Sequence, residues 1–171
     1  MNEMEELRRR VRDLESEKAI RACISRYMDL CDYLSPATPL DELGNLFTTD
    51  ARWEGKGKRY ASSFGGYDGR EAIVAMLAQY ATEPAHFSLN VHFLTSEQIR
   101  VQEDKAHGSW NMIQVSGFSA GGSHLNSARL EVDFKYEQGQ WRMSHFQTEN
   151  LFSRPVDHWN SEAALPVPDK D

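Results

Sequence analysis

No apolar run in this sequence approaches the roughly 20 residues that a membrane span requires. The N-terminus (MNEMEELRRR) also lacks the apolar core of a secretory signal. Both absences lead us to expect a soluble, cytoplasmic protein with no membrane partner. Cysteine is scarce, with only Cys23 and Cys31 present. On one helix their eight-residue separation puts the Cα atoms about 12 Å apart, which excludes a mutual disulfide or a shared metal ion. Two buried structural thiols are expected instead. Positive charge is in deficit, with 19 Lys+Arg against 26 Asp+Glu and a net charge of −7. A general nucleic-acid binder needs a basic face to exchange for counterions, so no nucleic-acid partner is expected. No His-Glu-x-x-His, Cys-x-x-Cys or calcium-loop pattern occurs, so no metal is expected. Finally, the first 85 residues hold no histidine; all six (His86, His92, His107, His124, His145 and His158) come later. Any acid–base site must draw carboxylates, tyrosines, lysines or thiols from the first half.

What is present suits one folded domain. The chain has 171 residues, 40% of them hydrophobic, enough to bury a core without staples. The domain is read as residues 1–153, with 1–14 as an N-terminal helix extension and 154–171 as a poorly ordered, proline-containing tail. Apolar residues from Leu7 to Leu34 recur at three-, four- and seven-residue spacings, predicting a long helix over 4–34. Its first turns stand away from the body or pack on a neighbouring subunit. Ser35-Pro36 breaks it. Short helices are expected over 41–47 and 69–80, a strand over 51–55, and a loop over the Gly-, Ser- and Lys-rich 56–68. Ile73, Met76, Leu77 and Tyr80 share one face of the third helix.

After Pro84 the period changes to two. Strands are expected over 86–103, 105–116, 124–137 and 140–152. Ala128, Leu130, Val132, Phe134 and Tyr136 alternate with charged residues, as in a sheet with one dry face. Helices followed by antiparallel strands give an α+β fold, and a curved sheet with the helices laid over its concave side would enclose a pocket.

Two motifs are set aside. Gly117–Phe118–Ser119–Ala120–Gly121 matches a nucleophile elbow literally, but an elbow joins a strand to a helix in a parallel sheet. Here a period-two strand follows, so a hairpin loop is expected. Gly55–Lys56–Gly57–Lys58 lacks phosphate-loop spacing and reads as a solvated basic loop.

Tyr27 lies on the apolar stripe of the first helix. Asp32 is about 140° round an ideal helix from it, as a solvated carboxylate would be. Unwinding before Pro36 would turn it inward instead. His86 and Asn90 share strand parity. A lone strand histidine is commonly structural, but beside an inward aspartate it can serve as a general base, because the carboxylate fixes its tautomer.

In order and spacing, RYMDLCD (26–32), DELGNLFTTDARWEG (41–55), YDGREAI (67–73), HFSLN (86–90), DKAHGSW (104–110) and GQWRMSH (139–145) resemble the SnoaL-like branch of the nuclear transport factor 2-like superfamily. The resemblance implies a cone: a strongly curved, mixed or antiparallel sheet with three helices over its concave face, enclosing a deep pocket. It also implies cofactor-free lyase or isomerase chemistry, of the dehydratase, dehydrochlorinase or polyketide-cyclase kind. Carried over, His86 is the base, Asp32 its orienting partner and Tyr27 a hydrogen-bond donor to a carbonyl or leaving oxygen. Trp53, Asn90, Trp110, Met112, Phe134, His145 and Phe146 would contact a small apolar cyclic or polyketide-like substrate. Trp110 falls where some relatives carry a second pocket histidine, with His107 and Asn111 beside it. Phe146 falls where others carry an arginine. The resemblance further implies self-association as a homotrimer or homodimer. A non-catalytic ligand-binding or assembly module, and a β-subunit-like partner of a ring-hydroxylating dioxygenase, are the alternative expectations.

Overall fold

A computed structural model describes residues 2–159 and 168. The first helix, α1 (Glu3–Asp32), is started by a reciprocal cap: the Asn2 side chain accepts from the Glu5 N–H while the Glu5 carboxylate accepts from the Asn2 N–H. Its N-terminal half is largely exposed. From Ile20 onward it is buried through Cys23, Ile24, Tyr27, Met28, Leu30 and Cys31. The helix ends at Asp32, slightly short of the expected Leu34.

Then follow α2 (Leu40–Asn45), β1 (Phe47–Lys56), α3 (Gly57–Ser63), β2 (Gly66–Asp68), α4 (Arg70–Ala78), β3 (Phe87–Gln102), β4 (Lys105–Phe118), β5 (Ser123–Glu137) and β6 (Gln140–Val156). The expected loop 56–68 instead contains α3 and β2, making four helices among the described residues. Tyr60 and Phe64, four residues apart, stack edge to face at 4.9 Å, and Phe64 meets Trp53 at 5.8 Å. That apolar pair gives the segment a packed helical face, and tertiary contact overrides its loop-like composition.

The strands form one six-stranded sheet in the order β2-β1-β6-β5-β4-β3. β1 runs parallel to β6, and every other pair is antiparallel. The α+β expectation and the curved, unclosed sheet both hold. Register shifts interrupt pairing between Phe87 and Leu89, Thr95 and Gln98, Ser127 and Ala128, and Asp133 and Phe134. Such bulges bend strands and reverse the faces of later residues. In β3 the inward set changes from Asn90, His92 and Leu94 to Ile99 and Val101 across Ser96, whose φ is 55°.

The dry face of β5 is Ala128, Leu130, Val132 and Phe134, as alternation predicts. Tyr136 departs from the series and is exposed at the strand's end. The turn at Gln138–Gly139 has positive φ at both residues (52° and 80°), which matches the right-handed twist of a two-residue hairpin. Gly121 and Gly122, also at positive φ, turn β4 into β5, so the elbow-like motif is a hairpin.

β6 continues to Val156, beyond the expected domain boundary at 153. Past it, the Trp159 indole donates to the Ser116 carbonyl at 2.9 Å, so the start of the expected tail is tied to β4. Residues 160–167 and 169–171 of that tail lie outside the described residues. Cys23 and Cys31 are both buried and free. Burial pushes each thiol up to about 12, which keeps it protonated and inert. Among the described residues, no helix is long and apolar enough to cross a membrane.

Candidate active site

The last turns of α1 lie across the middle of β3 and close one side of a cavity of about 270 Å³. Two contacts fix that crossing. The Asn90 amide donates to the Cys31 carbonyl at 3.1 Å. The Asp32 carboxylate accepts from the His92 backbone N–H at 3.0 Å and lies 2.5 Å from the ring Nδ1. Both side chains are mostly buried, Asp32 at 15% and His92 at 11% exposure. A carboxylate at Nδ1 fixes the proton on that nitrogen. In the neutral ring Nε2 then carries the lone pair, and it makes no hydrogen bond to any described residue. The ring itself lines the cavity.

Asp32 therefore pairs with His92 and not with His86. His86 precedes β3 and lines the exposed mouth of the cavity, packed edge to face against Tyr80 (5.4 Å), Phe87 (4.6 Å) and Phe118 (5.6 Å). The register shift between Phe87 and Leu89 turns Phe87 inward and breaks the shared parity of His86 and Asn90. Six residues of strand also span about 20 Å, so a carboxylate level with His92 cannot reach His86. Asp32 needs no unwinding, because as the final helical residue it already faces β3.

Tyr27 lies in the cavity wall. Its ring is edge-on to Phe47 (5.5 Å) and Phe146 (5.2 Å), and its oxygen accepts the Trp53 indole N–H at 3.1 Å. Burial raises the phenol well above its ordinary value, so it stays protonated and able to donate. Trp53 stacks nearly parallel on Phe146 at 5.7 Å, and both line the cavity.

Asn90 and Met112 are in the wall as well. The Asn90 carbonyl accepts from the Gln114 amide (2.9 Å) and the Ser116 hydroxyl (2.8 Å), forming a short polar strip. Asn126 and Thr148 add polar groups to the lining, while Leu77, Tyr80, Phe87, Phe118 and Leu130 make the rest apolar. No lysine, arginine, aspartate or glutamate lines the cavity among the described residues.

Three expected contacts lie elsewhere. Trp110 is buried beneath the cavity, where its indole donates to Glu97 at 3.1 Å. Phe134 packs against Trp110 in the same closed end of the core. Both are on the inward face but too deep to line the space. His145 is on the outer face, because its neighbour Phe146 points in and successive strand residues alternate. Its Nε2 meets Glu54 at 2.8 Å. Hydrogen bonds to Glu54 from Gln147, then His145 and Arg52, hold that carboxyl down at about 2. His107 pairs with Asp133 on the same face, and neither it nor Asn111 reaches the cavity.

Sequence alternation admits His92 as readily as His86, since both share parity with Asn90. What separates them is the depth at which α1 ends against β3.

The chain belongs to the SnoaL-like domain family, whose model matches residues 12–147. The fold is the nuclear transport factor 2-like cone. A type 2 hexachlorocyclohexane dehydrochlorinase (LinA) is 22% identical, with a TM-score of 0.68, covering 90% of this chain and 95% of its own. A protein assigned as a scytalone dehydratase from Novosphingobium aromaticivorans is 18% identical at a TM-score of 0.68, covering 92% and 97%. One assigned as an aromatic ring hydroxylase from the same organism is 18% identical at a TM-score of 0.71, covering 84% and 94%. At these identities the likeness is one of fold. No curated protein matches the sequence.

Proposed function

We propose that this protein is a cofactor-independent lyase or isomerase of dehydratase type, with His92 as general base. The observation that carries the reading is the 2.5 Å contact between Asp32 and His92 Nδ1 at the wall of an otherwise uncharged cavity. His92 Nε2 removes a proton next to a substrate carbonyl. Asp32 stabilises the imidazolium that forms and keeps the ring in one tautomer. Tyr27, whose oxygen already accepts from Trp53, donates its proton as a hydrogen bond to the developing oxyanion. In elimination, the electron pair released at carbon forms the double bond as the β leaving group departs; His92 gives the proton to a departing hydroxyl, which leaves as water, or to solvent when a halide leaves as the anion. In isomerisation, the same proton is returned to another carbon.

The substrate class follows from the lining. A wall of aromatic and aliphatic side chains without a lysine or arginine favours a neutral, apolar, cyclic molecule. The strip around Asn90 supplies hydrogen bonds to a hydroxyl or carbonyl at one edge. Two structural neighbours named as a dehydrochlorinase and a dehydratase support the lyase class.

The test is turnover of a panel of cyclic β-hydroxy and β-halo ketones, followed by absorbance of the conjugated product. Activity lost in His92→Gln and kept in His86→Ala is expected. A His92→Gln enzyme as fast as wild type overturns the reading.

A further inference from the structure

The N-terminal half of α1 carries an apolar stripe that the fold leaves uncovered. Met4, Leu7, Val11 and Leu14 are 45–64% exposed. At about 100° per residue they lie on the side of the helix roughly opposite Ile20, the first fully buried residue of α1. Arg9, Asp13 and Ser16 face the body instead, with Arg12 and Glu15 on the flank between, along a groove that ends at Trp141. Folding thus directs the polar side of this arm inward and its apolar side out.

The spacing of the stripe is three, four and three residues, the seam of a coiled coil, with Met4 and Val11 at its a positions and Leu7 and Leu14 at its d positions. A β-branched residue at a with leucine at d favours two parallel strands. The flanking charges select the same partner. Glu3 and Arg10 occupy g positions; Arg8 and Glu15 occupy e positions. In a parallel pair each g residue faces the e residue of the next heptad on the other helix. Glu3 then faces the partner's Arg8, and Arg10 faces the partner's Glu15.

All four residues are exposed, and none has an ion-pair partner among the described residues. Arg9, outside the seam, is already engaged by Glu6 and Asp13. The seam stops at Lys18 and Arg21, where Arg21 binds Glu97 of β3 and the helix lands on the sheet. The outer sheet face also exposes Phe93, Ile113 and Phe152, but nothing there selects an occupant.

We infer that residues 3–15 pair in parallel with the same segment of a second copy of this chain, forming a homodimer about a two-fold axis along α1. The arm is a self-association surface separate from the cavity, and its test does not depend on activity.

The full-length protein is examined by sedimentation equilibrium between about 1 and 100 µM, a range in which a short seam dissociates measurably. A dimer is expected, with Leu7→Glu/Leu14→Glu giving monomer while circular dichroism keeps the wild-type strand signal. Glu15→Arg sets two like-charge pairs across the axis and should weaken the dimer about tenfold. Arg10→Glu/Glu15→Arg restores the pairing and should recover wild-type affinity. Mild oxidation of Leu14→Cys should give a covalent dimer, and so should Leu7→Cys, because parallel, in-register helices bring both d positions against their own copies, whereas antiparallel helices could do so at one of them only. A wild-type monomer at 100 µM, an oligomer whose mass survives Leu7→Glu/Leu14→Glu, or failure of either Leu7→Cys or Leu14→Cys to cross-link would each overturn the inference.

Discussion

A single oxygen of Asp32 holds both the backbone N–H and the ring Nδ1 of His92, joining the last residue of α1 to the centre of β3. The contact anchors helix to sheet and, in the mechanism proposed above, orients the general base.

Asp32→Asn should therefore separate catalysis from folding. The amide can still accept the backbone bond, but it cannot stabilise an imidazolium. We expect kcat to fall about 10²- to 10⁴-fold, the range of general-base contributions, with KM little changed. Steady-state kinetics on a substrate turned over by the wild type checks this.

Tyr27→Phe removes the phenol and leaves the Trp53 N–H without its acceptor. Loss of one oxyanion donor typically costs about 10²- to 10³-fold in kcat, and the orphaned indole about 1 kcal/mol of stability. Kinetics and urea unfolding read the two effects separately. An unchanged kcat beside lowered stability would assign Tyr27 to packing alone.

Asn90→Leu deletes the amide that pins the Cys31 carbonyl and accepts from Gln114 and Ser116. Two buried polar groups and the half-buried Gln114 amide lose a partner together. A destabilisation of about 2–3 kcal/mol is expected in urea, since stranded buried groups cost more than the bonds themselves contribute.

Glu54 gives a pH dependence with a defined sign. Its carboxyl is at about 2 in the folded protein against an ordinary 4.5, chiefly through Gln147. A depressed carboxylate stabilises the fold above its unfolded value and loses that contribution as pH falls toward the folded one. Solvent screening reduces the nominal shift to about 1 kcal/mol. Wild type should exceed Glu54→Gln by that amount at pH 7, and the gap should close between pH 4.5 and 2. A gap constant down to pH 2 would contradict the assignment.

Gly108 lies beneath the Trp110 ring, where an added Cβ would meet the indole at 2.2 Å. Gly108→Ala forces the ring from its place over Phe134 and should cost about 1–3 kcal/mol by overpacking. Thermal unfolding and the Trp110 fluorescence maximum would report it.

Much of this was legible in one dimension because its cause is local. Periodicity located α1 and the four long strands, since burial of one face repeats at 3.6 or 2 residues in any fold. The helix-breaking prolines and the Gln138–Gly139 turn marked boundaries through backbone geometry alone. Tyr27 could be placed on the inward stripe of α1 for the same reason, while Trp53, Asn90, Met112 and Phe146 came from the resemblance. The motif order also pointed to the family.

The α3 segment was hidden because its helix depends on Tyr60 and Phe64 meeting Trp53, a contact the local composition does not encode. The outward turn of His145 depends on which face of β6 the core takes. The partner of Asp32 was hidden more deeply. A bulge after Phe87 cancels the parity of His86 with Asn90, and the depth at which α1 crosses β3 decides which histidine meets the carboxylate.

The sequence by itself determined an acidic, two-thiol domain whose histidines all lie in its second half, so that a histidine paired with the Asp of the first helix must reach across from the strands. Only the tertiary structure decided that the histidine meeting Asp32 is His92, because hydrogen bonding at a helix end acts across 60 residues of chain, at distances that no local pattern records.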